Sequence, residues 1–216
     1  MEFPLAAGLV YRRPGARALR SVRLVIRESP LCLLGAGVVR GMIAAHRRLP
    51  GVTALVDKQI FREAMARLGA AVNIITTDGL GGRRGFTASA VCSVTDDPPT
   101  LLVCLNRNSD SNQALKDNLV ICVNTLTSGQ QHLSPIFAGM TEHDYDARFA
   151  SADWTTLATG APVLAEAGVS FDCRIAQITE VGTHSVFFCE VEAIRQGPRH
   201  EGLIYYGRGY HPVRAG

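Results

Sequence analysis

One predicted strand, 85–94, is built almost entirely of small residues: Thr87, Ala88, Ser89, Ala90, Cys92 and Ser93. Core strands are normally filled with Val, Ile, Leu and aromatic side chains, because burying large apolar groups drives folding. A strand of small and hydroxyl-bearing residues instead leaves room for a flat group to lie against its backbone. Thr87, Ser89 and Ser93 share a parity, so the two-residue period of a strand puts their hydroxyls on one face. Hydroxyls in line can bond a polyol chain or a ring edge; the same pattern also suits a solvent-facing strand. An Asp96-Asp97-Pro98-Pro99 turn leads to a second strand, 100–106, so the run 85–107 is a strand pair.

Three other groups carry possible chemistry. The segment 106–112, with Arg107, Ser109 and Asn112, precedes a helix expected at 109–117. Free amides at a helix start, a hydroxyl and a nearby guanidinium suit an anion such as a phosphate, although Asp110 opposes one and a plain capped helix reads the same way. His184 follows Gly182-Thr183 at the start of a long strand, where a turn lets it point into a cleft. Arg208 and Tyr210 lie in the run 203–213, which is rich in tyrosine near the end of the chain. No GxGxxG follows a strand and no GxxxxGK[ST] occurs; Gly79, Gly81 and Gly82 belong to a hairpin turn.

The elements that position these groups are mostly strands. Asp57 is a reasonable helix cap, with Phe61, Ala64, Met65 and Leu68 at helical spacing until Gly69. Strands are expected at 71–78, 85–94, 100–106, 119–126, 169–181, 183–195 and 203–206. Short helices are expected at 109–117, 130–138 and 142–149, with an irregular stretch around Trp154 and Pro162. Strands joined by short turns favour an antiparallel barrel flanked by helices, not a βαβ nucleotide fold.

Charge divides the chain unevenly. Residues 1–56 hold nine Lys/Arg against two Asp/Glu, whereas 57–216 hold thirteen against seventeen. The basic character thus belongs to the first segment, and the mildly acidic core gives no footing for nucleic acid. The apolar run 31–39 is about half a membrane span, and no clear cleavage site follows it. We expect 1–54 to be a basic extension without chemistry, poorly ordered or preceding a true start at Met42, and 55–214 to form the domain. The six cysteines form no CxxC pair, and five sit in apolar strand runs as small hydrophobes. A reduced, cytoplasmic protein without a bound metal is the expectation.

The order Gly-Phe-Thr-Ala-Ser-Ala-Val-Cys-Ser-Val (85–94) followed by Pro98-Pro99 resembles the flavin-contacting strand pair of the flavin reductase-like family. Ala-Ala-Val-Asn-Ile-Ile-Thr-Thr-Asp (70–78), Cys122-Val-Asn-Thr-Leu126, Val169-Ser-Phe-Asp-Cys173 and Gly182-Thr-His184 extend the likeness over about residues 57–213. The resemblance implies a mainly β, FMN-binding split barrel, usually a homodimer with the flavin near the subunit boundary. It implies that Thr87, Ala88, Ser89, Ala90, Ser93 and Val94 contact FMN (or FAD), that Arg107, Ser109 and Asn112 serve its phosphate, and that Arg208 and Tyr210 stand at the mouth of the site. His184 would lie near the nicotinamide of NADH (or NADPH) as the catalytic residue. The implied activity is reduction of flavin for a partner flavin-dependent monooxygenase. Two branches are resembled: reductases of pyrimidine (uracil) utilisation and the reductase component of 4-hydroxyphenylacetate 3-monooxygenase. The rival from another class is a flavin- or haem-binding barrel without turnover.

Overall fold

The computed structural model describes residues 56–197 and 201–214, so the expectations for 1–54 fall outside it. Asp57 caps α1 (Lys58–Met65), its carboxylate accepting from the amides of Gln59 at 2.7 Å and Ile60 at 3.2 Å. β1 (Ala70–Ala71) and β2 (Asn73–Thr77) follow. β2 is buried on both faces, Ile75 entering one apolar cluster and Ile74 another, so its sequence shows no polar alternation. β3 (Arg84–Ala88) pairs with β2. β4 (Val91–Asp96) and β5 (Pro99–Asn106) form a hairpin across the Asp97–Pro98 peptide, which is cis. The rest of the chain comprises α2 (Asp110–Asn118), β6 (Val120–Thr125), α3 (Leu133–Phe137), α4 (Tyr145–Ala150), β7 (Trp154–Thr156), β8 (Pro162–Leu164), β9 (Val169–Val181), β10 (His184–Gln196), β11 (Gly202–Tyr206) and β12 (Gly209–Val213).

Seven strands make one antiparallel sheet in the order β3-β2-β6-β9-β10-β5-β4. Its two edges, β3 and β4, are consecutive in the chain and separated only by Ser89 and Ala90. Three peptide links from Ala88 to Val91 span at most about 11 Å, so the sheet must curl until its edges meet. The result is an antiparallel barrel, as expected. Its interior is filled by Ile75, Phe86, Val103, Leu115, Ile121, Val123 and Phe187, drawn from both halves of the sheet and from α2. Each large side chain fully buried there contributes roughly 1.5–3 kcal/mol.

Three expectations are corrected. The single strand 85–94 is two strands on opposite sheet edges, so Thr87, Ser89 and Ser93 do not share one face. Residue alternation reports which way side chains point, but not that the pairing partner changes midway. The irregular stretch around Trp154 contains the short β7–β8 ribbon. The tail after Tyr206 is a strand, β12, that joins β11 through a two-residue loop, Gly207-Arg208, both at positive φ (57° and 67°).

A second apolar layer lies outside the barrel, where α3, α4 and β11 cover β2 and β3. Phe137, Phe149 and Trp154 meet there with ring centroids 5.0–5.6 Å apart. Gly85 lets this layer close: a Cβ at that position would stand 2.8 Å from Phe137 Cε1 and 3.2 Å from Phe149 Cζ. The Asn124 side chain, fully buried, joins four strands. Its Nδ2 donates to Ile74 O (3.1 Å), and its Oδ1 accepts from Leu164 N and Ser170 Oγ, both at 2.9 Å. Gly85→Val should therefore destabilise the barrel by ~1–3 kcal/mol through overpacking against these rings. A lowered urea midpoint with an unchanged slope is the expected result; an unshifted midpoint would show that the aromatic layer yields freely.

Candidate functional site

The two residues between β3 and β4 form a seam whose backbone is only partly used. Ser89 O accepts from Val91 N (3.0 Å) and Ala90 O from Cys104 N (3.1 Å). Neither the Ser89 nor the Ala90 amide is taken up by a partner among the described residues, and both residues are exposed. Backbone donors of this kind are satisfied by water or by a bound molecule.

Three cavities lie at or beside this seam: two are walled by it, and the other shares Val91 and Cys92 with the largest. The largest, about 870 Å³, runs between Ser89–Cys92, Leu102 and Cys104 on one side and Arg62, Met65, Tyr205 and Arg208 on the other. A second, about 410 Å³, opens at the barrel mouth beside Ser93, Val123, Phe171 and Val191. A third, about 200 Å³, holds Thr87, Ala88, Ser89, Ser134, Met140 and Tyr210. In that cavity Thr87 Oγ1 donates to Ser134 O at 2.7 Å, and the Ser134 and Tyr210 hydroxyls are 2.9 Å apart. The structure thus places Ala90 and Arg208 on the largest cavity and Thr87, Ala88 and Tyr210 on the smallest, with Ser89 shared by both. Ser93 lies round the corner on β4, and Val94, half exposed, lines none of the three cavities. Sequence reasoning missed Tyr205, Arg62 and Met65. Tyr205 shares the parity of buried Leu203 in β11, but nothing in the sequence says that its end of the strand overhangs a cleft.

The second cluster sits where β5 ends. Ser109 is the N-cap of α2 but makes no side-chain cap bond. Asn112 is buried and committed internally: Nδ2 donates to Ser185 Oγ at 3.0 Å and to the carbonyls of Leu105 and Asn106 at 3.4 Å. Arg107 stays largely accessible; its amide donates to Thr183 O at 2.9 Å, and its Nε lies 3.7 Å from Glu180 Oε2. Lys116 Nζ donates to Glu180 Oε1 at 2.8 Å, and Ser185 Oγ lies 3.0 Å from both carboxylate oxygens. The Lys116 ammonium, helped by the Ser185 hydroxyl and Arg107, holds the Glu180 carboxyl below the usual carboxylate range. His184 opens β10 opposite Asn106, exposed, with its Nδ1 2.9 Å from Thr183 Oγ1. Arg107, Ser109, Asn112 and His184 therefore gather at one end of β5 and β10, beyond the cleft walls formed by Leu102 and Cys104.

The cysteines divide by depth. Burial pushes the thiols of Cys122 and Cys173 far up, and that of Cys189 up to about 12. Cys104 is half buried on the cleft wall and also raised, by burial and by Cys92. Cys92, expected inside a strand core, is exposed beside the seam.

The main cleft is apolar on its strand side and fringed by two arginines, and among the described residues no carboxylate lines it. Ala90, Val91, Cys92, Leu102 and Cys104, with the two free seam amides, fit the flat ring and polar edge of a flavin. An antiparallel split barrel with such a seam defines the flavin-binding split-barrel class. The chain belongs to the flavin reductase-like family: the model for the "Flavin reductase like domain" matches residues 65–214. It is 59% identical over 160 residues to FMN reductase (NADH) RutF of Pantoea ananatis, covering 74% of this chain and 83% of that protein. The RutF of Escherichia coli K12 is 57% identical over 159 residues, covering 74% of this chain and 96% of that one. The structure of the NADH:FAD oxidoreductase SgcE6 of Streptomyces globisporus C-1027, in complex with NAD and FAD fragments, superposes with a TM-score of 0.66. That match has 29% identity and covers 74% of this chain and 96% of the other.

Thiol chemistry reports on the cleft. With a maleimide, Cys92 should react first among the cysteines at 92, 104, 122, 173 and 189, and saturating FMN should slow its labelling several-fold. Mass spectrometry of quenched samples reads both effects; labelling of Cys92 that ignores FMN would place the flavin elsewhere.

Proposed function

We infer that this chain is an NADH-dependent FMN reductase that supplies reduced flavin to a partner monooxygenase in pyrimidine degradation. The observation that carries this reading is the open, amide-lined seam between β3 and β4, in a chain whose near relatives are FMN reductases (NADH). Those relatives separate the two branches that the sequence resembles, in favour of pyrimidine degradation.

Each chain element has a part in the reading. The amides of Ser89 and Ala90, with the Ser89 and Thr87 hydroxyls, hold the polar edge of the ring. Arg107 and the α2 start with Ser109 receive the phosphate, while Asn112 positions that start from beneath. His184, on the tip of the β9–β10 hairpin, orients the nicotinamide. Arg208 and Tyr210 close the mouth. When both molecules are bound, a hydride passes from nicotinamide C4 to flavin N5, chemistry that belongs to the cofactors. The protein's contribution is placement, and a main cleft lined by no carboxylate among the described residues suits a step that needs no strong acid or base.

Two further points belong to the same reading. Ile60, Phe61 and Leu68 on and beside α1, and Val94 on β4, are apolar and 47–61% exposed near the cleft, a pattern of surfaces that meet a partner. A homodimer covers them, so the protein should elute at twice its chain mass in light-scattering chromatography, and a concentration-independent monomer would refute this. No helix among the described residues is long and apolar enough to cross a membrane, and the reading places the enzyme in the cytoplasm.

Anaerobic NADH oxidation with FMN, FAD or riboflavin tests the activity. FMN should be reduced with NADH preferred over NADPH; no NADH consumption with any flavin would leave a binding barrel instead. His184→Ala should lower kcat/KM for NADH by roughly ten- to a hundred-fold, on the scale of one lost positioning contact, without lowering the melting temperature. Unchanged kinetics would remove His184 from the site.

A further inference from the structure

The arginine expected to meet the flavin phosphate is not a free cation. Arg107 and Lys116 face different oxygens of the same carboxylate, Glu180, at 3.7 Å (Oε2) and 2.8 Å (Oε1). Glu180 is held in place from a third direction by the Ser185 hydroxyl, which is itself fixed by buried Asn112. Glu180 and Ser185 are cross-strand partners in the β9–β10 hairpin, so the backbone that carries the carboxylate is paired to the strand that begins at His184. Arg107 lies three residues beyond Cys104, or about 10 Å along the strand, at the end of the cleft where the chain of a bound flavin would run.

We propose that Glu180 is a built-in competitor of the flavin phosphate: it neutralises Arg107 and Lys116 in the free enzyme and must share them when FMN binds, so that FMN is held weakly and released easily. The proposal rests on the flavin reductase reading and refines it at the phosphate end. Its physical content is simple. A phosphate arriving beside Arg107 gains less from a cation that already has a carboxylate partner, and it meets that carboxylate as a like charge. Riboflavin has no phosphate and is indifferent to Glu180.

Glu180→Gln leaves one oxygen to accept from Ser185, removes the negative charge and replaces the other acceptor oxygen with an NH2 donor. FMN affinity, measured by fluorescence quenching, should tighten about three- to ten-fold, the scale of one partly solvated charge at this distance. Riboflavin affinity should be unchanged. Arg107→Gln should weaken FMN and again leave riboflavin unchanged. Equal FMN affinities in wild type and Glu180→Gln, or equal shifts for FMN and riboflavin, would overturn the proposal. Failure of the underlying reading looks different: the wild-type protein would then oxidise no NADH with any flavin. A matched thermal melt for each variant separates charge removal from misfolding.

Discussion

Everything in this molecule depends on the chain changing sheet edges between Ala88 and Val91. A strand that simply ran on would leave a flat, open sheet with two exposed edges and no interior. By abandoning β2 and taking up β5, the chain forces the sheet to close and leaves two residues, Ser89 and Ala90, whose amides pair with neither side among the described residues. Those residues are small, and they border the largest cavity, Ser89 the smallest as well. They cannot bury their amides, because an unsatisfied buried donor costs about 1–3 kcal/mol. Small, exposed and underbonded are the conditions of closure, and the same conditions make a binding surface for a flat ring.

The polar interior has a matching logic. Asn124 and Asn112 are both buried asparagines that tie separate elements together, but they serve different ends. Asn124 welds β2, β6, β8 and β9 on the side away from the cleft, and most of its hydrogen-bonding capacity is spent there. Asn112 joins α2 to the end of β5 and, through Ser185, to the β9–β10 hairpin. The first network makes the barrel one shape; the second sets where the exposed hairpin tip and the cations beside it stand. A buried amide with several good partners tolerates little displacement, since each lost bond strands a donor or acceptor.

Much of this was legible from the residues. The helix cap at Asp57, the long β9–β10 hairpin turning at Gly182 and the hairpin turn at 96–99 all follow from local chemistry that acts within a few residues. The small-residue run contains the seam. The sequence failed to show that the run belongs to two strands, because alternation is preserved while the partner is not. It failed likewise at Asn112, where a polar residue in a polar stretch reads as a ligand contact and is in fact an internal brace. Cys92 erred in the other direction: its apolar neighbours suggested burial, yet β4 is an edge strand whose outer face borders the cleft. Each miss concerns long-range pairing, which no window of neighbouring residues encodes.

The shape of the site also bears on how tightly a flavin can be held. The main cleft is about 870 Å³, its strand wall is apolar, and what it offers a ring is dispersion and a few amide bonds. Such contacts give modest affinity, because association must first offset lost translational freedom. A resident cofactor would call for an enclosing wall or an uncommitted charge at the phosphate. The described residues offer the opposite arrangement, with Glu180 engaging both nearby cations. An enzyme whose product is a reduced flavin to be handed onward has reason to bind it this way: turnover is limited by release wherever affinity exceeds what placement for hydride transfer requires. The geometry around Glu180 and the openness of the seam therefore point in one direction, toward flavin as a passing substrate.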